Sequence, residues 1–277
     1  MPVRVAIAQM DPQLAQNALN LERVLALFHE AVEHGAQLVV FPECAISGYG
    51  FADLESARVV AEPLPGPTTD ALSAACAATG AYTVVGLLEH DSPEVYNVAA
   101  LIGPEGLVGV YRKIHLPYLG VDRFATPGDR PFAVWDTPLG RIGIAICYDL
   151  RFPEVLRVLG VLGADIIALP TNWPETSELM PDYVTRTRAL ENRVYLLACN
   201  RVGVESGFRF FGRSQIVGTS GKVYVETGDQ PEIAYADIEP VLAREKRIII
   251  RPGEMELDTI GDRRPEFYGP LVAPRCA

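Results

Sequence analysis

The hydrophobic positions of this chain change period repeatedly along its length. VRVAIAQ (3–9) reads as a strand. In LNLERVLALFHEAVEHG (19–35), Leu21, Val24, Leu25, Phe28 and Val32 recur at helical spacing, and Gly35 is placed as a C-cap. QLVVFPE (37–43) is again a strand, closed by Pro42 and Glu43. PLPGPTTDALSAACAATG (63–80) predicts a turn and a second helix. The runs AYTVVGLLEH, VYNVAALIGPEG and LVGVYRKIHLP (81–117) predict consecutive strands joined by tight turns. PFAVWDTPLGRIGIAIC (131–147) has the pattern of a hairpin. A helix over 152–163, a strand over 164–174 ending in a polar loop, a helix over 181–193 and a strand over 194–203 follow. Short strands continue to Asp237, before a tail rich in Arg and Pro.

β-runs interleaved with helices indicate stacked α/β layers. The 277 residues fit one large domain or two small ones. VRVAIAQ and GRIGIAI resemble each other, but two short apolar strands often do so by chance. A single domain over 1–277 is therefore expected, with a tail from about 255 to 277 reaching a subunit interface.

The 49% hydrophobic and 21% charged fractions are those of an ordinary globular protein. A formal net charge of −11 argues against nucleic acid and against an anionic membrane surface as partners. The opening MPVRVAIAQMDP lacks a basic stretch followed by a long apolar one, and no apolar run approaches the roughly 18 residues of a membrane span. Five cysteines (44, 76, 147, 199 and 276), odd in number and without a CxxC pair, suit free thiols in a reducing cytoplasm better than a disulfide framework.

Candidate chemistry sits at three strand ends. Cys147 closes the apolar run of GRIGIAICYDLRFPE, where a strand hands over to a helix that Pro153 would open. Glu43 ends the strand at 37–43, and Lys113 lies near the end of the strands at 81–117. A thiol, a carboxylate and an amine are the parts of nucleophilic acyl transfer: attack, proton removal and oxyanion stabilisation. A helix starting just after Cys147 would favour the thiolate. Each residue also has a plain structural reading. Cys147 could be core filler, Glu43 a loop carboxylate or helix cap, and Lys113 a solvated edge residue.

Taken together these segments carry a resemblance. FPECAISGYG around Glu43, YRKIHLP around Lys113 and GIAICYDLRFPE around Cys147, separated by 70 and then 34 residues, resemble the nitrilase superfamily of carbon–nitrogen hydrolases. The likeness runs from VAIAQM through LPTNWP and TRALENRVYLLACNRVG to FGRSQIVGTSG. It implies a four-layer α–β–β–α sandwich. It also implies a homodimer or higher homo-oligomer, formed through the helices near 152–162 and 181–193, which extends the sandwich to eight layers. Cys147 would then be the nucleophile, Glu43 the general base and later acid, and Lys113 the oxyanion partner together with the backbone N–H of Tyr148.

One departure stands out. Many members of the superfamily carry a second glutamate in the loop after the lysine, whereas LPYLGVDRFATPGD offers only Asp122. Asp122 either stands in for it with a shorter reach or the role is absent, in which case Asp122 is a turn residue or forms a surface ion pair with Arg123. His115 offers an alternative base in a Cys–His pair, since positions 113 and 115 of a strand share a face; the other reading is a histidine that braces the loop. The four histidines and five cysteines form no metal-ligand spacing, and no nucleotide motif is present, so no cofactor is expected.

Tyr49, Phe51, Asn172 and Trp173 are candidates for the acyl pocket, Trp173 equally for core packing or a dimer contact. A substrate carboxylate would need an arginine such as Arg123, Arg186, Arg188 or Arg209 turned inward. CYDLRFPE is shared with ω-amidase-like members and LPTNWP leans toward aliphatic amidases. The expectation is hydrolysis of a small, largely uncharged amide, with ω-amidase, carbamoylase, nitrilase, acyl transferase and a silent scaffold as alternatives.

Overall fold

The computed structural model describes residues 2–273. The first half of the chain runs β1 (Val3–Gln9), α1 (Asn17–Glu33), β2 (Leu38–Val40), α2 (Leu54–Val60), α3 (Pro67–Thr79), β3 (Tyr82–Asp91), β4 (Glu94–Gly103) and β5 (Gly106–Arg112). The second continues with β6 (Val134–Thr137), β7 (Gly140–Ile144), α4 (Pro153–Val161), β8 (Ile166–Pro170), α5 (Thr185–Asn192) and β9 (Tyr195–Cys199). Then come β10 (Val202–Glu205), β11 (Phe208–Phe211), β12 (Gln215–Val217), β13 (Val223–Glu226) and β14 (Glu232–Ile238). The tail adds a hairpin, β15 (Arg247–Arg251) and β16 (Met255–Asp258).

Side-chain alternation along the strands sets the layers. In β1, Val3, Val5 and Ile7 join one buried cluster while Ala6 and Ala8 join another, so both faces of the strand are covered. The first sheet has the order β14-β1-β2-β3-β4-β5, and the second β13-β12-β9-β8-β7-β6. Strands β1, β2 and β3 lie against β8 and β9 across the middle of the molecule. Val24 and Phe28 of α1 and Leu72 and Cys76 of α3 cover the outer face of the first sheet. Val155, Leu156 and Leu159 of α4 and Ala189 of α5 do the same for the second, where Gly143 leaves room for Leu159. The result is the α–β–β–α sandwich that the resemblance implied.

The two sheets share one plan. Each has three neighbouring parallel strands, β1-β2-β3 and β7-β8-β9, with antiparallel strands on both sides. VRVAIAQ and the GRIGI of β7 are the equivalent first parallel strands, so their likeness coincides with a repeated position in the topology.

Several boundaries differ from the sequence expectation. The strand expected over 37–43 pairs only over Leu38–Val40, because Pro42 lacks the N–H that would continue the ladder. The helix expected directly after Cys147 is first a 3₁₀ turn, Cys147–Arg151, and α4 begins at Pro153, whose fixed φ suits the first helical position. The helix over 181–193 opens as a wide π-type turn, Met180–Val184, before α5. Helix α2 was not expected; Asp53 caps it by accepting from the Ser56 N–H at 2.8 Å. Gly35 adopts φ +88°, the left-handed cap conformation expected of it, and Ala36 N–H closes back on Ala31 O at 3.0 Å. The end of the tail, 274–277 with Cys276, lies outside the described residues.

Phe28 is fully buried between α1 and the first sheet. Truncating it should leave a cavity that the surrounding sheet cannot fill. Phe28→Ala is expected to cost about 3–5 kcal/mol in urea denaturation. A loss under about 1 kcal/mol would show that this layer is not tightly packed.

Candidate active site

Glu43 is placed by a close approach of backbone to backbone. After β2 the chain is stitched along β3, with Phe41 N–H on Val84 O (2.8 Å) and Ile46 N–H on Gly86 O (3.3 Å). A Cβ on Gly86 would lie 2.5 Å from Cys44 N, 2.6 Å from Pro42 O and 2.7 Å from Glu43 Cα. Only glycine allows the segment 42–44 to lie there. Lys113 follows the last residue of β5, and its N–H donates to Asn97 O on β4 at 2.9 Å. The neighbouring Arg112 is gripped by Glu89 (2.7 Å), Asp91 (2.7 Å) and Asp129 (3.1 Å), which holds this strand end in place.

Two carboxylates and one ammonium meet in a closed cluster. Lys113 Nζ lies 2.6 Å from Glu43 Oε1 and 2.5 Å from Asp122 Oδ2, with no side chain of the three exposed. Asn97 Nδ2 donates to Glu43 Oε1 and to Asp122 Oδ1, both at 2.8 Å. The Tyr49 hydroxyl lies 2.9 Å from Asp122 Oδ2 and 3.0 Å from Leu119 O. Asp122 thus faces inward. The alternative ion pair with Arg123 does not form, since that guanidinium donates to Gly120 O and Phe51 O instead. Glu43 Oε1 is doubly held, while its buried Oε2 has no partner among the described residues.

Cys147 sits at φ +44°, a left-handed conformation that non-glycine residues rarely adopt, directly after the β7 extension. The turn is fixed by Asp149. Its carboxylate accepts from Ile146 N–H (2.9 Å) and Tyr111 O–H (2.9 Å), and His115 Nδ1 lies 2.8 Å away. The His115 ring stacks on Phe152 with centroids 3.9 Å apart. Strand β5 ends at Arg112, so positions 113 and 115 do not share a strand face, and His115 braces Asp149 rather than the thiol. Tyr148, next to the thiol, is half-buried with its ring edge-on to Phe152.

Burial dominates the protonation of the cluster. It pushes the Cys147 thiol up to about 12, with help from Glu43 and against Lys113, the Thr171 hydroxyl and the Asn172 N–H. The resting group is therefore a thiol, not the standing thiolate that a helix start would favour. Burial also raises Glu43; Lys113 opposes this, Asp122 adds to it and Asn97 opposes it. Burial pulls Lys113 down, but Asp122 and Glu43 outweigh it and keep the ammonium well above its ordinary range. Such an arrangement can hold a thiol proton, supply a base for it and present a cation to a developing oxyanion.

The pocket candidates divide. Asn172 is buried beside the thiol, and neither polar atom of its side chain has a partner among the described residues. Trp173 is buried in the core, and its backbone N–H donates to Asn200 Oδ1 at 2.8 Å. Tyr49 braces Asp122 rather than opening onto a pocket. Phe51 borders a surface depression of about 370 Å³ with Tyr118, Arg123, Ser206 and Phe208. Arg186 and Arg188 are turned to Gly221 O and Leu150 O, and Arg209 pairs with Glu175 at the surface.

Sequence reasoning missed Asn97, Asp149, Thr171 and Glu205. Glu205 accepts from Tyr49 N–H (2.8 Å) and Gly50 N–H (2.7 Å) and pairs with Arg201 at 3.0 Å, tying β10 to the loop after Glu43. The one legible signal was Asn97, a lone amide in the apolar run VYNVAALIG. Among the described residues, no group of three or more His, Cys, Asp or Glu side chains is placed to hold a metal ion, and no helix is long and apolar enough to cross a membrane.

Comparison with known proteins gives a consistent result. The sequence profile of the carbon–nitrogen hydrolases matches residues 4–248. A nitrilase of Pyrococcus abyssi is 40% identical over 96% of this chain and 99% of its own. An omega-amidase of Xenopus tropicalis is 35% identical over 79% of this chain and 83% of its own. An amidase from Nesterenkonia sp., 24% identical, shares the fold with a TM-score of 0.81 over 98% of this chain and 96% of that one.

Two outcomes follow from the geometry. Gly86→Ala should displace the segment bearing Glu43 and lower kcat by about 10²-fold with little change in far-UV circular dichroism, since misplacing a reacting group by about 1 Å has that effect. Activity within about twofold of the parent would show that the close approach is dispensable. Glu43→Gln should abolish activity yet raise the thermal midpoint above neutral pH. The raised Glu43 group stabilises the fold while protonated and loses that contribution as pH climbs from its ordinary 4.5 through its raised value. The advantage of the Gln variant should shrink as pH falls. A variant less stable than the parent at every pH would contradict the direction of the shift.

Proposed function

The chain belongs to the carbon–nitrogen hydrolase family, and on that premise we propose that it is an amidase that converts a small, largely uncharged carboxamide to acid and ammonia. The carrying observation is the asymmetry of Glu43: Oε1 is saturated by Lys113 and Asn97, and Oε2 is free to take a proton. Glu43 takes the Cys147 proton as sulfur attacks the amide carbon, because the thiol does not ionise alone near neutral pH. The oxyanion is met by Lys113 and the backbone N–H of Tyr148. Collapse of the tetrahedral intermediate breaks the C–N bond while Glu43 returns the proton to nitrogen, releasing ammonia and leaving a Cys147 thioester. Water, deprotonated by Glu43, then attacks the thioester; the C–S bond breaks, Glu43 returns the proton to sulfur, and the acid leaves. Asp122 fixes the ammonium and takes the place of the missing second glutamate.

Charge supports an uncharged substrate. Two carboxylates surround one ammonium, so a substrate carboxylate brought to the thiol would be repelled. A second reading has its own observation. Arg123 borders the depression by Phe51, and omega-amidases are among the similar proteins, so a carboxylate-bearing amide with its acid group at Arg123 is the alternative. The working form on this proposal is a dimer through α4 and α5, which expose Val158, Val161 and Leu190.

The test is ammonia release from propionamide, butyramide, benzamide, glutaramate, N-carbamoyl-β-alanine and the matching nitriles. Release from the uncharged amides, reduced at least about 10³-fold in Cys147→Ala, is the expected result. Release from glutaramate alone, lost in Arg123→Ala, would replace it with the second reading. Release from nitriles alone would make the protein a nitrilase. Hydroxamate formed on adding hydroxylamine would report the thioester directly.

A further inference from the structure

The two carboxylates of the cluster are joined twice, once by the Lys113 ammonium and once by the Asn97 amide. An amide NH₂ has two hydrogens, and here each carboxylate receives one. The orientation is dictated by the neighbours: turned over, the amide would aim its oxygen at two anions. As placed, Asn97 Oδ1 faces the Cys44 thiol at 3.6 Å. Asn97 is 1% exposed, and its own carbonyl receives the Lys113 N–H at 2.9 Å. One residue therefore contacts Glu43 and Asp122 with its side chain and Lys113 with its backbone.

We propose that Asn97 is a positioning residue for the hydrolysis: with Lys113 it saturates Glu43 Oε1, leaves Oε2 as the proton acceptor, and holds Asp122 off the base. This rests on the reading of Glu43 as the base. Two donors on one oxygen also favour the ionised carboxylate, against burial and the charge of Asp122. The other titratable groups around Glu43 are Lys113, Tyr49, Cys44 and Cys147. None of them supplies a second neutral donor to Oε1 in place of the amide.

The test uses iodoacetamide, a small primary amide that alkylates the thiol whatever the natural substrate. The rate of Cys147 modification is followed by peptide mass across the acidic and neutral pH range. Asn97→Leu removes both N–H donors at similar volume, and Asn97→Ser keeps one. In Asn97→Leu the acid limb of the profile should move up by about one pH unit, with a rate about tenfold lower on that limb. Asn97→Ser should lie between that variant and the parent. Both limbs coinciding with the parent's would overturn the proposal, however much the overall rate falls, because structural damage lowers the folded fraction without moving a limb. If Asn97→Leu does not fold, Asn97→Ser decides by the same criterion. Glu43→Gln separates the two levels. A limb that survives it overturns the base and with it the role of Asn97. A limb lost in Glu43→Gln but unmoved in both Asn97 variants overturns the role of Asn97 alone.

Discussion

A fully buried ammonium is the constraint on which the rest of the site depends. Taking a lysine out of water costs several kcal/mol unless it is paired with good geometry. Lys113 is paired twice, to Glu43 and Asp122, and each of those carboxylates is held again by Asn97. Lys113 and Asn97 each contact both carboxylates, so every member is held by two others. The cluster therefore acts as a unit, and the segments that bring it together (the loop after β2, the middle of β4, the end of β5 and the 3₁₀ turn at Gly120–Arg123) must all be in place at once.

The repeated sheet plan explains how those segments converge. Glu43 follows β2 and Cys147 follows β7, both members of parallel triplets, and Asn172 follows β8. In open α/β sheets such positions beyond the carboxyl ends of parallel strands are where ligands are met. Here two such sheets lie face to face, so Glu43 comes from one and Cys147 from the other. Gly86 and the strained φ of Cys147 are local departures from regular geometry that accompany this meeting.

Burial sets the chemistry as much as the charges do. A lysine beside a thiol would by itself lower the thiol's pKa, yet desolvation outweighs it at Cys147. On the proposed mechanism the proton is removed during attack rather than before it, and the unpartnered oxygen of Glu43 is suited to that step. A thiol that stays protonated at rest is also less open to adventitious oxidation.

The sequence by itself determined the layered α/β class, most elements and the three reactive residue types. Periodicity of apolar residues is a local signal, and VRVAIAQ, the helix at 19–35 and the hairpin at 131–147 carry it fully. The roles suggested for Glu43, Lys113 and Cys147 came from the residues flanking them, read as a family likeness. Tertiary structure decided what no local pattern encodes. Asp122 is a short acid beside an arginine in sequence, and only packing under Tyr49 turns it to Lys113. His115 is two residues from Lys113 in sequence but serves Asp149, because the strand stops at Arg112. The partners of Asn97 lie 54 residues before it and 25 after it. Hydrogen bonds over such separations depend on the folded path of the chain, which is why a lone amide in an apolar strand announces that it needs partners without naming them.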